Sequence, residues 1–311
     1  MDNDSSSEGG DDRMIIAGVP SLSLLILSIF FNALSIYFVL TAKSLHSFFA
    51  TILVYRAICD VAISSVTAFF WFCSIILYFP NLYANVAISC TAEIFLTQSF
   101  MLHVTASVNR LVAIYFPIKY SQIYENWVVR VVSLLGTTVL SIGLVSLLLI
   151  DPCILFVWEF GVTNFGFVLC MYEPSIWSGV VVLWPLDLLL AAQKTLCFAA
   201  VAIDLATLLK ILLISKSAQS ETNKRNIRFF LQVFTQNAFL CVGVLSGLFY
   251  PYDGEEHNQF AIYWYTGFLY NLSFFVSSIT LFIFNSEVRQ AICGIFKPPT
   301  KVTFAVTRSS S

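Results

Sequence analysis

The chain has 311 residues, of which 58% are hydrophobic and only 11% are charged, and its mean hydropathy is +0.83. A water-soluble domain carries about 25% charged residues, so this composition excludes a water-soluble globule and predicts an all-α membrane protein. The formal net charge of −2 decides nothing by itself. The informative property is how the charges are distributed along the chain.

Seven apolar segments are long enough to cross a hydrocarbon core of about 30 Å, which takes roughly 20 helical residues at 1.5 Å each. Their prolines fall near segment ends, where a missing N–H costs little. The pattern predicts a seven-helix bundle over 14–296, between an outer tail at 1–13 and an inner tail at 297–311. The predicted spans are 15–41, 48–77, 88–115, 128–150, 186–213, 227–250 and 259–284.

Both ends of the predicted bundle carry local signals. Residues 1–13 are acidic and polar, unlike the basic start of a secretory signal, so we expect a retained first helix. Asn3 begins an Asn-Asp-Ser glycosylation sequon on that tail. Beyond the last span, the apolar spacing within 285–296 predicts a short helix on the inner membrane surface. Cys293 on that helix is either a palmitoylation site or an unmodified cysteine.

The loops between the spans fall into two groups that differ in charge. Those predicted to lie outside contain no Lys or Arg and are acidic, and because positive charge in short loops resists translocation, the amino terminus is predicted outside the plasma membrane. An eighth span within 152–186 would reverse this pattern, so we interpret 152–186 as a long outer loop. The basic residues of the inner loops and inner tail are Lys43, Lys119, Lys216, Lys224, Arg225, Arg228, Lys297, Lys301 and Arg308.

Three of the eight cysteines fall on the outer, oxidising side, and three cannot all pair. We favour a disulfide between Cys90 and Cys170, which would tie the outer loop to the third helix. Pairing of Cys90 with Cys153 is the alternative. The chain has neither CxxC pairs nor Cys/His spacing typical of a metal site, so we expect no metal and no cofactor.

Charged residues inside spans are costly and therefore indicate functional positions. Asp60 lies near the middle of the second span, and Arg56 lies one turn earlier on the same face. They form either a self-neutralised pair or a conformational switch. Asn32, at a similar depth in the first span, is expected to hydrogen-bond Asp60.

Other intramembrane polar residues cluster toward the outer half. Glu93 and Lys194 are expected to face an outward-opening cavity, either as a structural ion pair or as ligand contacts. Asp204 lies deeper in the fifth span. His103 fits a hydrogen-bonded interior histidine better than a ligand contact or a proton relay.

Several motifs resemble those of rhodopsin-like G-protein-coupled receptors. Residues 109–117, Asn-Arg-Leu-Val-Ala-Ile-Tyr-Phe-Pro, resemble the Asp-Arg-Tyr region that ends their third helix. Residues 284–289, Phe-Asn-Ser-Glu-Val-Arg, resemble the junction of their seventh helix with the following short helix. Asn32 and Asp60 match a helix 1 asparagine and a helix 2 aspartate of the same class.

The more specific resemblance is to nematode chemoreceptors of serpentine receptor class X. It rests on 103–117, 203–210 and 226–232, and it covers nearly all of 15–296. It implies a chemosensory receptor that is not an enzyme. Such a receptor binds an unknown small molecule in an outer cavity, signals to a heterotrimeric G protein and contacts lipid but no nucleic acid. The resemblance also implies sensory cilia as the location.

The resemblance assigns Arg110 to signalling, with Asn109 beside it and the basic residues Lys224, Arg225 and Arg228 completing the inner surface. The chain also departs from the class pattern. Asn109 replaces the usual acid, so we expect a weaker ionic restraint and a freer Arg110. The seventh span lacks Asn-Pro-x-x-Tyr, and the sixth lacks Trp-x-Pro.

Other membrane functions fit the sequence less well. A transporter often shows internal repeats and broken helices, and a channel needs a filter or rings of charge. Neither pattern is visible, although transporter or channel stays the alternative function. The three histidines are scattered between depths and sides, unlike a catalytic cluster. Residues 259–284 contain no lysine for a retinal Schiff base.

Overall fold

The computed structural model describes residues 8–41, 48–76, 78, 80–124, 126–149, 154–159, 164–169, 184–214, 221–246, 256–284 and 288–289. Within them there are seven long helices, and a short α4 lies between the third and fourth in chain order. The helices are α1 (Glu8–Thr41), α2 (Phe48–Ile75), α3 (Leu82–Tyr115), α4 (Pro117–Tyr124), α5 (Trp127–Ser146), α6 (Trp184–Ile214), α7 (Glu221–Ser246) and α8 (Glu256–Phe284).

Six of the seven long helices in the described part of the chain are long and apolar enough to cross a membrane. The exception is α3, which packs against α2, α5, α6 and α7 at the centre of the bundle. Its 34 residues are also long enough to span, and its polar side chains face protein rather than lipid. The predicted all-α, seven-helix membrane bundle is confirmed.

The helix ends differ from the apolar spans because helices continue into the polar flanks. α3 begins at Leu82 instead of residue 88, since the Asn81 side chain accepts a hydrogen bond from the Ala84 N–H at 2.8 Å and caps the helix. α7 begins at Glu221 instead of residue 227. α1 begins at Glu8, inside the predicted tail, so Pro20 lies in the helix interior rather than near its end.

The predicted outer loop contains a β-hairpin that the sequence analysis missed. β1 (Ile154–Glu159) pairs antiparallel with β2 (Asn164–Leu169), with Ile154 opposite Leu169. β1 lies against α3. The available signal was two short runs rich in aromatic and β-branched residues, which favour strands.

Lipid-facing and protein-facing surfaces differ in composition. The outward side of α5 presents Val132, Leu135, Val139 and Leu140, which are all exposed, as expected for contact with acyl chains. Polar side chains are instead collected between α2, α3, α6, α7 and α8. The bundle is therefore polar in its middle and apolar at its rim.

Some predictions fall outside the described residues, namely those on Asn3, Lys43, Cys153, Cys170, Lys216 and Cys293 and on the tail from 297. Of the predicted interfacial helix at 285–296, only residues 288–289 are described. Val288 there is fully buried in the core cluster that includes Phe48 and Leu281.

Candidate functional site

The inner end of α3 holds Arg110 between two aromatic rings. Its guanidinium carbon Cζ lies 3.3 Å from the ring centroid of Phe49 on α2 and 4.9 Å from that of Phe229 on α7. Both Arg110 and Phe49 are buried. Ring faces attract a cation, so these contacts restrain the guanidinium although residue 109 is not an acid. The expectation of a freer Arg110 than in receptors with an acid there stays a prediction.

Asn109 is fully buried beside Arg110. Its Nδ2 donates a hydrogen bond to the Tyr120 hydroxyl on α4 at 3.4 Å, and its Oδ1 has no partner among the described residues. Burial raises the pKa of Tyr120, against smaller lowering effects of Arg110 and Arg130. The phenol is therefore neutral at physiological pH, and neither Asn109 nor Tyr120 gives Arg110 a negative partner.

Basic side chains surround this end of the bundle. Lys119 on α4 and Arg228 on α7 are exposed, and Lys210 on α6 lies with Nζ 5.3 Å from the Tyr115 ring centroid. Lys224 and Arg225 belong to the first turns of α7. The residues predicted to form a basic inner surface are thus grouped at one end, as far as the structure describes them.

Asp60 is bonded across helices rather than along its own. Its Oδ1 accepts a hydrogen bond from the Ser99 hydroxyl on α3 at 2.9 Å, and among the described residues its Oδ2 has no partner. Arg56, one turn away, is buried, and its Nε and Nη1 also have no described partner. The two charges interact through space without a hydrogen bond between them.

The predicted bond between Asn32 and Asp60 is wrong. Asn32 Nδ2 instead donates to the Ser28 carbonyl at 3.0 Å and reaches the Phe274 carbonyl on α8 at 3.5 Å. The reason is geometric: α1 packs against both α2 and α8, and a main-chain carbonyl of α8 is the acceptor within reach.

A small polar cavity lies between Asn32, Arg56, Gln232 and Ser277. Both polar atoms of the Gln232 amide lack a partner among the described residues. The cavity volume is about 10 Å³, which is about the room that one water molecule needs. This cavity is therefore too small for an organic ligand, whose sites usually measure several hundred Å³.

Toward the outer side, Glu93 meets Gln193 rather than Lys194. The Gln193 amide donates to Glu93 Oε1 and lies 3.2 Å from Thr97 Oγ1. Lys194, half-buried on α6, makes no ion pair with Glu93. Because α3 begins six residues earlier than predicted, Glu93 lies about three turns inside it and is 7% exposed. The ion-pair interpretation is corrected to a hydrogen bond from the Gln193 amide on α6 to the Glu93 carboxylate on α3.

Asn237 on α7, which was not predicted as a site residue, is bonded to three side chains of neighbouring helices. Its Oδ1 lies 2.5 Å from His103 Nδ1, and its Nδ2 donates to Ser107 Oγ at 2.8 Å and to Asp204 Oδ2 at 2.6 Å. A carboxamide oxygen only accepts, so His103 carries its proton on Nδ1. His103 is thus the hydrogen-bonded interior histidine that was expected, in a network that joins α3, α6 and α7.

A second missed residue, Gln236, joins α7 to α8. Its Nε2 donates to the Ser277 carbonyl at 2.6 Å and to Thr280 Oγ1 at 2.7 Å. Gln232, Gln236 and Asn237 are all buried. The available signal was their spacing, because polar residues recurring on one face of an apolar helix indicate a helix–helix interface.

Cys90 lies two turns inside α3 because the helix begins early. Its thiol is free and buried against Val145, Leu148 and Leu189. Cys170 and Cys153 fall outside the described residues, and the free Cys90 thiol gives the predicted disulfide no support. Within the described part of the chain, no group of three His, Cys, Asp or Glu side chains comes together to hold a metal.

Comparisons with known proteins agree with this geometry. Residues 24–285 match the family model of the serpentine type 7TM GPCR chemoreceptors Srx. Serpentine receptor class X-43 of Caenorhabditis elegans is 25% identical over 213 residues, which cover 65% of this chain and 62% of that relative's length. The crystal structure of squid rhodopsin matches 92% of this chain and 81% of its own, with a TM-score of 0.67 at 14% identity. At that identity, the likeness to rhodopsin establishes the fold alone.

Proposed function

The chain belongs to the Srx family of serpentine seven-transmembrane chemoreceptors, and we propose that it binds a small molecule from outside and signals to a heterotrimeric G protein. The observation that carries this proposal is the buried Arg110 near the end of α3, on the side of the bundle that also carries the exposed Lys119 and Arg228. A guanidinium offers a planar donor fork for carbonyls on a docking helix. We place the receptor in the plasma membrane of sensory cilia, with the amino terminus outside.

Glu93 and Gln193 form the outer part of the proposed mechanism. They connect α3 to α6 by a hydrogen bond whose acceptor is a carboxylate. A ligand that bonds to Glu93 displaces Gln193 and changes how α3 and α6 pack. Such a ligand shifts the conformational equilibrium only as far as it prefers one packing over the other.

The Asn237 network carries the change inward. Asn237 is bonded to His103 and Ser107 on α3 and to Asp204 on α6. A shift of α6 against α3 therefore alters the partners of α7 in mid-membrane. Phe229, two turns below Asn237 on the same helix, touches the Arg110 guanidinium. Movement of α7 thus reaches the inner surface.

Arg110→Ala tests the proposal directly. We expect normal surface expression and ligand binding, with loss of signalling in a ligand screen that reads cAMP, cGMP and calcium. Arg130→Ala is the control, because Arg130 is a half-buried arginine on α5 that donates to the Tyr124 carbonyl instead of contacting the two rings. Full signalling from Arg110→Ala at matched surface expression would contradict the proposed role. Ligand-dependent uptake or current without second messengers would favour a transporter or channel.

A further inference from the structure

The environment of Arg110 is built from two helices that flank α3. Phe49 comes from the first turn of α2 and Phe229 from α7, and their ring centroids lie 5.5 Å apart. The guanidinium carbon is 3.3 Å from the Phe49 centroid, so the planar cation stacks on the face of that ring. Arg110 thus contacts two helices that also contact each other.

Burial makes this contact strong. Arg110 is 5% exposed and Phe49 is 2% exposed, so water screens neither of them. Attraction between a cation and an aromatic face is larger when both are desolvated. A buried guanidinium also needs compensation for its lost hydration. The two rings supply part of that compensation next to a neutral Asn109.

The rings are themselves held in place. Phe48, the neighbour of Phe49, stacks on Tyr124 of α4 with centroids 5.0 Å apart and planes 16° from parallel. Tyr124 in turn contacts Tyr120, with centroids 5.1 Å apart. The start of α2 is therefore fixed against α4, and Phe49 is a stable platform. Phe229 moves with α7.

We propose that Phe49 and Phe229 are positioning residues that hold Arg110 in the resting state through its charge, in place of the carboxylate that Asn109 lacks. Separation of α7 from α2 opens the cage formed by Phe49 and Phe229 and releases the guanidinium toward the inner surface. The inference rests on the proposed function of Arg110. It adds that the ring faces, and not only the volume of the side chains, set the basal signalling.

A fluorinated phenylalanine series at position 49 is the decisive experiment. Mono-, di- and trifluorophenylalanine weaken the negative ring face stepwise while changing the volume little. We expect basal signalling of the full-length receptor in cells to rise with each fluorine, reaching about tenfold for the trifluoro variant. Basal signalling that is flat across the series would overturn the proposal.

Ordinary substitutions give an independent comparison. Phe49→Tyr keeps a ring face, and we expect it to signal like the unchanged receptor, whereas Phe49→Leu raises basal activity. Phe230→Leu is the matched control, because Phe230 is as deeply buried and stacks on Phe234 instead of contacting the cation. A rise for Phe230→Leu equal to that for Phe49→Leu would show that lost packing is sufficient, and the charge-based proposal would fail.

A structural readout separates this inference from the proposed function. Nitroxide labels at Ile118 on α4 and Arg228 on α7, both exposed, report the distance between the two inner elements in lipid nanodiscs. We expect a larger long-distance population in the trifluoro variant even if no G protein responds to the receptor. Unchanged distances would refute the cage. Changed distances together with full signalling by Arg110→Ala would support the cage and contradict the signalling role.

Discussion

At position 109 the chain carries a neutral amide next to a buried cation. Asn109 is fully buried, and one of its two polar atoms has no partner among the described residues. We predict that Asn109→Asp lowers basal signalling by about tenfold, because a hydrogen bond to a charged group contributes roughly 1.5–3 kcal/mol and would restrain Arg110 further. Second-messenger assays without ligand measure this effect.

Asn109→Ala is the control for that change, since it removes the amide without adding charge. We expect its basal signalling to stay near that of the unchanged receptor. If Asp and Ala at position 109 gave the same basal level, charge at this position would not restrain Arg110.

Glu93 is the residue whose change should separate ligand recognition from signalling. Glu93→Gln keeps the side-chain size and the contact with Gln193 but removes the negative charge. We expect ligand potency to change about tenfold, as for the loss of one charge-assisted hydrogen bond, with basal signalling unaltered. Glu93 lies roughly 25 Å from Arg110 along α3. Dose–response curves check this prediction, and an unchanged potency would remove Glu93 from the binding site.

At the scale of the helices, one side chain of α7, Asn237, is hydrogen-bonded to both α3 and α6. Asn237→Leu leaves His103 and Asp204 buried without their shared partner. We predict a loss of about 1–2 kcal/mol in the stability of the folded receptor, the upper range for hydrogen bonds between membrane helices. Thermal unfolding of the receptor in detergent measures it.

A double-mutant cycle shows whether that loss belongs to the network. Asp204→Leu combined with Asn237→Leu removes both partners of one bond, so the double variant should lose less than the sum of the two single variants. Strict additivity would mean that the two residues stabilise the bundle independently.

The close approach of α7 and α8 depends on Gly243. A Cβ atom there would lie 3.2 Å from the Tyr270 Cα, whereas a Cβ at Gly136 on α5 would meet nothing within 4 Å. We predict that Gly243→Ala destabilises the receptor by about 1–3 kcal/mol through overpacking. Gly136→Ala should be neutral, or stabilising by up to about 1 kcal/mol, because alanine favours a helix. Equal unfolding temperatures for the two variants would contradict the interpretation.

For the whole molecule, the distribution of basic residues predicts how the bundle is oriented across the membrane. The end of the bundle predicted to lie inside, where α3 ends and α7 begins, carries the exposed Lys119 and Arg228, as the charge rule for short loops requires. We predict that an epitope at residue 2 is stained on intact cells and that one at residue 311 requires permeabilisation. The reverse pattern would end the receptor interpretation, because Arg110 would then face outward.

The sequence by itself determined the class of fold and the family. Inside the bilayer the backbone must form its hydrogen bonds internally, as a helix does. The number of apolar segments long enough to span therefore predicts the number of membrane helices. The motifs at 103–117, 203–210 and 226–232 were sufficient to identify the family that the match over residues 24–285 confirms. Intramembrane charge likewise singled out Arg56, Asp60, Glu93 and Asp204 as positions of interest.

Only the tertiary structure decided which partners those residues have. Asp60 is bonded to Ser99 instead of Asn32, and Glu93 to Gln193 instead of Lys194. Arg110 contacts the ring faces of Phe49 and Phe229. Hydropathy fixes the depth of a residue but not the rotation of one helix against another. Successive residues are 100° apart around the helix axis, so turning a helix by that angle changes the partners of all its side chains. The rotation of each helix is set by packing between segments that are distant in sequence.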